Sequence, residues 1–269
     1  METKKVLIKR DAAGTFVHLM LHDKRSPGTV RRIRNSDFVR RFKSNVEING
    51  VRFEVYPYQN CHDRAIFCGS LFEEESDEFS FFFKYIETPG HFIDIGANIG
   101  AICIPIAKRL AGLKVIAIEP NPVNVKRLAH NVALNNLKGI EIFPYAIGPE
   151  GVLTLRNCNN RNSGQYSAVA FSEGEATARP IEVGSMPLLS VLEKAQVAKI
   201  SALKIDIEGF EDEALMPFFR NAAKQQWPQI ISLEYHHSHL WKTNCIQEMI
   251  NIGYDVVGKN KWNIFLVLR

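Results

Sequence analysis

Hydrophobic and polar positions follow two different patterns along this chain. Up to residue 58 the apolar residues lie in three short strand-like runs, at 4–11, 15–23 and 46–58. The last run alternates apolar and polar positions around Asn49-Gly50. Asn-Gly between alternating runs is the strongest short-range signal for a β-hairpin. These patterns predict a strand-rich N-terminal segment that ends in a hairpin.

A helical pattern follows at 73–87. Acidic residues occupy its first turn, where the helix dipole favours them. Four apolar residues then recur at helical spacing, which predicts that they pack in the core rather than form a ligand site. They are Phe79, Phe82, Phe83 and Ile86.

From Pro89 onward, strand-like and helical runs alternate. This alternation predicts a parallel sheet with helices on both faces. The final stretch, 254–269, breaks the alternation and predicts two antiparallel strands joined by a short turn. The predicted strands of the repeat lie at 91–96, 113–120, 140–148, 201–209 and 229–237, and the predicted helices lie at 101–111, 121–136, 186–199 and 210–224.

The composition narrows the class of protein. The chain has 269 residues, of which 46% are hydrophobic and 23% charged, so a well-buried core is expected and disorder is not. No apolar run is long enough to span a membrane, and the first residues lack the apolar core of a signal peptide. The five cysteines show no C-x-x-C spacing, so neither a disulfide framework nor a zinc site is expected. A cytoplasmic location is therefore the expectation.

Positive charge is concentrated near the N-terminus. Residues 1–44 hold twelve Lys or Arg and four Asp or Glu, a balance of +8, which leaves −4 for the remainder of a chain with net charge +4. This cluster, densest at 30–43, either forms a solvated face or attracts phosphates, acidic sugars or nucleic acid. No aromatic-interleaved basic stripe or known RNA module accompanies it, so nucleic acid is not the expected partner.

The most informative stretch is FIDIGANIG, residues 92–100, in which a strand ends near Asp94 and a glycine-rich turn leads into a helix. In open parallel sheets, ligands bind beyond the carboxyl ends of the strands, at such a turn. Gly96 and Gly100 are separated by three residues, so the middle glycine of the dinucleotide fingerprint G-x-G-x-x-G is missing. The Asp94 carboxylate repels an anion and favours a cationic sulfonium or ammonium.

The second strand supplies another acid, Glu119, 25 residues after Asp94. A carboxylate there can accept hydrogen bonds from both hydroxyls of a ribose; alternatively, Glu119 caps the helix that follows it. Together the two acids indicate a ligand with a ribose and a positive charge but no diphosphate, which is the chemistry of S-adenosylmethionine. The third strand would then bring Tyr145 and Ala146 near the adenine.

The sequence resembles the FkbM family of S-adenosylmethionine-dependent methyltransferases in the stretches FIDIGANIG, IEPNP, ALNN, YAIG and, most specifically, LKIDIEGFE. The resemblance covers roughly residues 65–240. It implies a class I methyltransferase fold: a Rossmann-like, doubly wound α/β fold with a seven-stranded sheet whose last strand is antiparallel. We expect the cofactor-binding domain at 65–269 and a basic, strand-rich extension at 1–64. The residues assigned to the cofactor are Asp94, Gly96, Ala97, Asn98, Gly100, Glu119, Pro120, Asn121, Tyr145 and Ala146.

A second acidic cluster lies at the end of the fourth strand, where Lys204, Asp206 and Glu208 alternate. In this topology the fourth strand neighbours the first, so Asp206 would face the reacting methyl group. Its carboxylates can stabilise a sulfonium, hydrogen-bond a substrate hydroxyl as its base, or bind a divalent cation; alternatively, Lys204 pairs with one of them. No third ligand stands at diagnostic spacing, so no metal is expected.

The fifth strand ends in a cluster of histidines. His236 alternates with Glu234, so both side chains could point the same way, and an imidazole could take the proton of an attacked hydroxyl. The alternative is that these histidines are solvated loop residues. The predicted catalytic residues are therefore Asp206, Glu208 and His236.

The resemblance implies O-methylation of a hydroxyl on a sugar or secondary metabolite, so the expected partner is a small-molecule or glycoside acceptor. Three alternatives remain at this point: methylation of RNA or an anionic glycan recruited by residues 25–43, a non-catalytic cofactor-binding protein, and a nicotinamide oxidoreductase. The last is disfavoured by the missing glycine. The polar loop at 156–180 and the N-terminal extension are expected to wall the substrate site.

Overall fold

The computed structural model describes residues 7–21, 41–157, 166–168 and 180–269. In chain order the strands are β1 (Ile8–Arg10), β2 (Ser44–Ile48), β3 (Val51–Val55), β4 (Gly90–Ile95), β5 (Leu113–Ile118), β6 (Ile140–Phe143), β7 (Ala146–Ile147), β8 (Gly151–Asn157), β9 (Tyr166–Ser167), β10 (Ile181–Met186), β11 (Ile200–Ile205), β12 (Ile230–Glu234), β13 (Tyr254–Lys259) and β14 (Asn263–Leu268). The helices are α1 (Ala12–Leu21), α2 (Cys61–Cys68), α3 (Leu71–Glu74), α4 (Ser76–Tyr85), α5 (Cys103–Arg109), α6 (Pro122–Leu134), α7 (Leu188–Lys194), α8 (Glu211–Asn221) and α9 (Cys245–Asn251), with short 3₁₀ turns at Lys224–Gln226 and Ser238–Leu240.

A seven-stranded sheet lies at the centre, with the strand order β13-β14-β12-β11-β4-β5-β6. Strands β4, β5, β6, β11 and β12 pair in parallel. Strand β14 runs antiparallel to both of its neighbours, β12 and β13. The predicted α/β class, the seven-stranded sheet and its antiparallel last strand are confirmed.

Alternate residues of the central strands pack on opposite faces of this sheet, as the two-residue period of a strand requires. In β4, Phe92 joins a hydrophobic cluster that includes residues of α4, α5 and α6. Its neighbour Ile93 joins a second cluster with residues of α7, α8 and α9. Because helices cover both faces, the carboxyl ends of the parallel strands are the place where a ligand can reach the sheet.

The N-terminal segment confirms one prediction and overturns another. The hairpin around Asn49-Gly50 is present as β2 and β3. The strand predicted at 15–23 is wrong, because most of that run lies in helix α1. Asp11 precedes this helix, and its carboxylate accepts a hydrogen bond from the Gly14 N–H at 2.6 Å. This N-cap bond, together with the burial of Val17, outweighs the strand propensity of the run.

The aromatic helix predicted at 73–87 is confirmed as α3 and α4, which are separated at Glu75. All four of its predicted core positions pack into the first hydrophobic cluster, and two of them, Phe79 and Phe82, are buried. The same cluster contains residues of the N-terminal hairpin. The domain boundary between residues 64 and 65 stays a prediction.

The strand predicted at 140–148 is in fact two strands. Pro144 lies between β6 and β7 and has no N–H to donate, so the central sheet ends before it. Strand β7 joins a smaller sheet with the order β7-β10-β8-β9. This sheet was not predicted, and its position matters for the site described below.

Two sequence predictions fall largely outside the described residues. Most of the densest part of the basic cluster, 30–43, lies in 22–40, and the interior of the 156–180 loop is described only at 166–168. Within the part of the chain that the structure describes, no helix is both long and apolar enough to cross a bilayer.

Candidate active site

The glycine-rich turn after β4 is tied to the end of β5. The N–H groups of Gly96 and Ala97 both donate to the carbonyl of Ile118, at 2.9 and 3.0 Å. The next N–H, that of Asn98, donates to the Glu119 carboxylate at 2.9 Å. The N–H groups of three successive predicted cofactor residues therefore hold the turn to the last residue of β5 and to the Glu119 side chain.

The glycines of this turn serve close packing. Gly96 has a φ of +84°, and a Cβ there would overlap the carbonyl oxygen of Asp206. Gly100 has a φ of +88°, and a Cβ there would collide with side chains of α5 and α6. Asn98, with a φ of +52°, shares the left-handed conformation. The sequence interpretation, in which glycine mainly admits a ligand, missed this packing role.

Glu119 is buried and directed into the turn. Its second carboxylate oxygen accepts a hydrogen bond from the Asn121 N–H at 2.8 Å. Asn121 is itself the N-cap of α6, since its side chain accepts from the Val123 N–H. Asn121, and not Glu119, therefore caps this helix, so the alternative interpretation of Glu119 as its cap is wrong. Burial raises the pKa of Glu119 to about 7, against the effect of its two backbone hydrogen bonds.

Asp94 is the most isolated acid of the site. It is 1% exposed, and neither oxygen of its carboxylate has a hydrogen-bond partner among the described residues. Burial raises the pKa of Asp94, while the charge of Lys204 and the nearby Cys103 thiol act in the opposite direction. The thiol geometry does not amount to a hydrogen bond. A buried carboxylate without a partner is costly and is suited to a ligand that brings a positive charge.

A pocket with about 370 Å³ of empty space, part of it open to solvent, lies beside Pro120. Its lining is mostly apolar, and four predicted cofactor residues contribute to it: Gly96, Pro120, Tyr145 and Ala146. The smaller sheet forms another wall through residues of β8 and β9, whose position depends on the long-range pairing of β8 with β10 and could not be read from the sequence. The lining residues that were not assigned to the cofactor from the sequence include Leu153, Leu155 and Tyr166 of this sheet, and Ile207 and Phe210 of the turn after β11.

An ion cluster lies beside Asp94, at the end of β11. Lys204 is almost fully buried, and its Nζ lies 3.1 Å from the Asp206 carboxylate. Burial lowers the pKa of Lys204, but the carboxylates of Asp206, Glu78 and Asp94 together raise it above its ordinary value. For Asp206 burial acts in the other direction and raises the pKa, but the positive charge of Lys204 brings this pKa below its ordinary value. Asp206 is therefore an ionised carboxylate.

The next acid along, Glu208, contacts a histidine that was not predicted. Its carboxylate lies 3.0 Å from Nε2 of His237, and this hydrogen bond raises the pKa of His237. Glu208 holds the left-handed conformation at a φ of +58°, which is rare for a residue other than glycine and is concentrated at functional sites.

The predicted catalytic residue His236 lies next to His237, with the two ring centroids 4.8 Å apart. Its side chain is exposed, and its ring packs edge-on against Trp262 at a centroid distance of 4.3 Å. Strand β12 ends at Glu234, so the alternation on which the prediction relied does not continue to residue 236. The structure brings Asp206, Glu208 and His237 together. His236 adjoins His237 at a more exposed position, and its catalytic role stays a prediction.

Glu234 is a further acid at this end of the sheet. It is buried, and one of its carboxylate oxygens has no hydrogen-bond partner among the described residues. Burial, followed by the charges of Asp206 and Glu211, raises the pKa of Glu234 to about 10. It is therefore a neutral carboxylic acid near pH 7.

A comparison with families of known proteins decides the assignment. The model of the methyltransferase FkbM domain matches residues 94–255, which is more than half of the chain. The chain belongs to the FkbM methyltransferase family. This confirms the resemblance noted in the sequence and the prediction of a methyltransferase. No curated protein matches the sequence.

The fold of this FkbM protein also resembles solved methyltransferases at low sequence identity. One is precorrin-6y C5,15-methyltransferase from Geobacter metallireducens GS-15, with 13% identity, a TM-score of 0.43, and coverage of 72% of this chain and 86% of that one. Another is the putative methyltransferase yhhF from Escherichia coli, with 9% identity, a TM-score of 0.44, and coverage of 73% and 86%. A third is TYW2 from M. jannaschii in complex with AdoMet, with 14% identity, a TM-score of 0.41, and coverage of 83% and 84%.

One acid of the FkbM segment, Glu211, has its hydrogen-bonding capacity used within the fold. Its carboxylate accepts from the N–H groups of Ile207 and Gly209, and from the indole N–H of Trp241 at 2.7 Å. These bonds fix the turn that presents Asp206 and Glu208. Among the described residues, no group of His, Cys, Asp and Glu side chains is arranged to hold a metal ion.

Two polar residues reach this site from outside the segment that the FkbM model matches. Asn60 donates from its side chain to the Asn98 side chain at 2.6 Å, and the His62 ring lies 3.3 Å from the same Asn98 amide. Asn60 is also the N-cap of α2. A cap could have been predicted from the Asn60-x-x-Asp63 spacing, but nothing in the sequence indicates that it contacts a turn 38 residues later.

Proposed function

We propose that this protein is an S-adenosylmethionine-dependent methyltransferase that acts on a hydroxyl of a small molecule, such as a sugar or another secondary metabolite. Membership of the FkbM family supports methyl transfer. The apolar cavity would hold the adenine, and the Glu119 carboxylate would accept hydrogen bonds from the ribose.

The observation that carries the choice of cofactor is the state of Asp94. This carboxylate is buried beside the turn without a hydrogen-bond partner in the described structure. A dinucleotide would bring a pyrophosphate to such a turn, where Asp94 would repel it. Bound S-adenosylmethionine supplies a methyl group activated on a positively charged sulfur, and this charge would offset the buried carboxylate.

Glu208 and His237 are suited to handle the proton of the acceptor hydroxyl. The carboxylate holds the imidazole through one ring nitrogen at 3.0 Å, which leaves the other nitrogen to accept a proton. Asp206, ionised beside Lys204, could orient the hydroxyl by accepting its hydrogen bond. Alignment would account for most of the acceleration, and the base for about 10²–10⁴-fold.

Ligand binding tests the cofactor directly. We expect the melting temperature of the protein to rise with S-adenosylmethionine and with S-adenosylhomocysteine, but not with NAD, because only bound ligands shift the folding equilibrium. In addition, Asp94→Asn should weaken the cationic S-adenosylmethionine more than the neutral thioether S-adenosylhomocysteine. Stabilisation by NAD alone would refute the proposal.

Transfer of labelled methyl groups from S-adenosylmethionine into small molecules of a cell extract tests the acceptor chemistry. We expect His237→Ala to lower the labelling of an O-methyl product by about 10²–10⁴-fold. His236→Ala is the matched control and should retain labelling. The opposite pattern would assign the base to His236, as the sequence alone predicts.

A further inference from the structure

The segment 166–168, which contains strand β9, contacts both halves of the site. Tyr166 and Ala168 line the apolar pocket proposed for the adenine. Ser167 lies between them and is fully buried. Its hydroxyl donates to the backbone carbonyl of Glu208 at 2.8 Å. Two residues of the segment therefore face the pocket and the middle one faces the turn after β11, as the alternation along an extended chain allows.

The Ser167 hydroxyl holds one side of a peptide group whose other side is held by a different element. The carbonyl of Glu208 and the N–H of Gly209 belong to the same planar peptide group. The carbonyl accepts from Ser167, and the N–H donates to the Glu211 carboxylate at 3.2 Å. This peptide group therefore cannot rotate unless a hydrogen bond to β9 and a hydrogen bond to α8 both break.

The orientation of this peptide group is coupled to an unfavourable backbone conformation. Glu208 has a φ of +58°, and Gly209 follows it with a φ of +96°. A residue with a Cβ keeps such a conformation only where the surrounding contacts hold it. In this conformation the Glu208 carboxylate lies 3.0 Å from Nε2 of His237. The contacts that hold the peptide group therefore also decide whether the carboxylate meets the imidazole.

We propose that Ser167 is a positioning residue, whose hydroxyl holds Glu208 in the conformation that brings its carboxylate to His237. This inference rests on the proposed function, because it bears on catalysis only if Glu208 and His237 handle the proton of the acceptor hydroxyl. Ser167 does not line the adenine pocket, so it acts through Glu208 and not on the cofactor. The loop at 156–180 would thereby supply a residue that sets the geometry of the base.

The titration of His237, followed by NMR in the full ligand-free chain, tests this role. The hydrogen bond to Glu208 raises the pKa of His237 against the effect of burial, and the charges of Glu211 and Asp206 act in the same direction as that bond. Glu208→Gln removes only the charge of Glu208 and gives the reference titration, while His237→Gln identifies the signal. We expect Ser167→Ala to move the pKa of His237 more than about half of the way from the wild-type value to this reference.

Ser201→Ala is the matched control. Ser201 is also fully buried, but it lies near the opposite end of β11, and its hydroxyl has no hydrogen-bond partner among the described residues. This control should leave the pKa of His237 unchanged, and calorimetry should show that both serine variants bind S-adenosylhomocysteine as the wild type does.

Two results would overturn the inference. One is an unchanged pKa of His237 in Ser167→Ala. The other is a changed pKa together with lost binding of S-adenosylhomocysteine, because Ser167 would then support the whole site and not Glu208 in particular. A different result would refute the proposed base itself: if the wild type and Glu208→Gln gave the same pKa for His237, the Glu208–His237 pair would not form.

Discussion

The site is built from two turns that look alike and are stabilised in different ways. The donor turn, residues 96–100, follows β4, and the acceptor turn, residues 206–210, follows β11; the two strands are neighbours in the sheet. Each turn contains residues in the left-handed conformation. The donor turn is held by the β5 backbone and Glu119, whereas the acceptor turn is held by the Glu211 carboxylate.

The electrostatics of the two turns differ more than their shapes do. Burial raises the pKa of Asp94 and of Glu119 beside the donor turn. At the acceptor turn, the charge of Lys204 outweighs burial and lowers the pKa of Asp206. The protein itself neutralises the acceptor-turn acid, while the donor-turn acids are left to be neutralised by a proton or a cationic ligand. The difference indicates which side of the site is completed by binding.

The largest expected effect comes from removing the internal counter-charge. Lys204→Met removes the buried cation that the carboxylates of Asp206, Glu78 and Asp94 share, and leaves Glu78 and Asp94 buried without it. Breaking a buried ion pair from one side typically costs about 3–5 kcal/mol. We expect a loss of that size in the free energy of unfolding, measured by urea denaturation at neutral pH.

Lys199→Met is the matched control for this variant. Lys199 is half-exposed and lies 3.6 Å from the exposed Glu87, so its removal should cost less than about 0.5 kcal/mol. If Lys204→Met cost no more than this control, the contrast between the two turns would be wrong, because the acceptor turn would not depend on an internal cation.

The second effect tests how closely the turns pack against each other. Gly96→Ala places a Cβ against the Asp206 backbone carbonyl and also strains a residue with a φ of +84°. A rigid backbone atom cannot rotate away, so we expect a destabilisation of about 2–4 kcal/mol, combining overpacking with left-handed strain. Urea denaturation measures it, and binding of S-adenosylhomocysteine should be lost as well.

Gly112→Ala isolates the strain. Gly112 has a φ of +87° but an open space where its Cβ would lie, so this variant should lose only about 1–2 kcal/mol. Equal losses for the two variants would mean that the turns do not press on each other and that Gly96 is explained by conformation alone.

Much of the donor side could be predicted from the sequence, and much of the acceptor side could not. The glycines, Asp94 and Glu119 lie within a few residues of strand ends, so local pattern places them. His237 could not be separated from His236, because the choice depends on where β12 ends and how the chain then bends. Asn60 and His62 come from a helix whose contact with the turn is tertiary. The strand predicted at 15–23 failed because the capping bond of Asp11 and the burial of Val17 favour a helix there.

A smaller effect should appear in the pH dependence of stability. Glu119 titrates near pH 7 in the fold but near its ordinary 4.5 when unfolded. A raised acid pKa means that the native state holds the extra proton, so this contribution is fully present below pH 4.5 and is lost as the pH rises through 7. We expect Glu119 alone to make the ligand-free protein about 1–3 kcal/mol more stable at about pH 5.5 than at about pH 8.

Two variants test which of the two turns causes this change of stability with pH. Glu119→Gln cannot titrate and should reduce the slope between about pH 5.5 and 8 by the contribution of Glu119, while the other buried acids with raised pKa, such as Glu234, keep theirs. Asp206 has a lowered pKa, so it stays ionised throughout that window and its contribution is lost only as the pH falls below 3.8. Asp206→Asn should therefore leave the slope unchanged. If Asp206→Asn changed the pH dependence of stability and Glu119→Gln did not, the electrostatic contrast between the turns would be the reverse of the one described.

The smallest effect measures what the Glu208 side chain contributes to the acceptor turn. Glu208 and Gln196 both hold the left-handed conformation, at φ values of +58° and +53°, and glycine relieves such strain. Gln196→Gly lies away from the site and should gain about 0.5–1 kcal/mol. Glu208→Gly gains the same relief but loses the 3.0 Å contact with His237, so its net change should be near zero. Urea denaturation measures the free energy of unfolding of both variants, and the difference between their gains is the contribution of the Glu208–His237 contact. An equal gain in the two variants would show that this contact contributes no measurable stability.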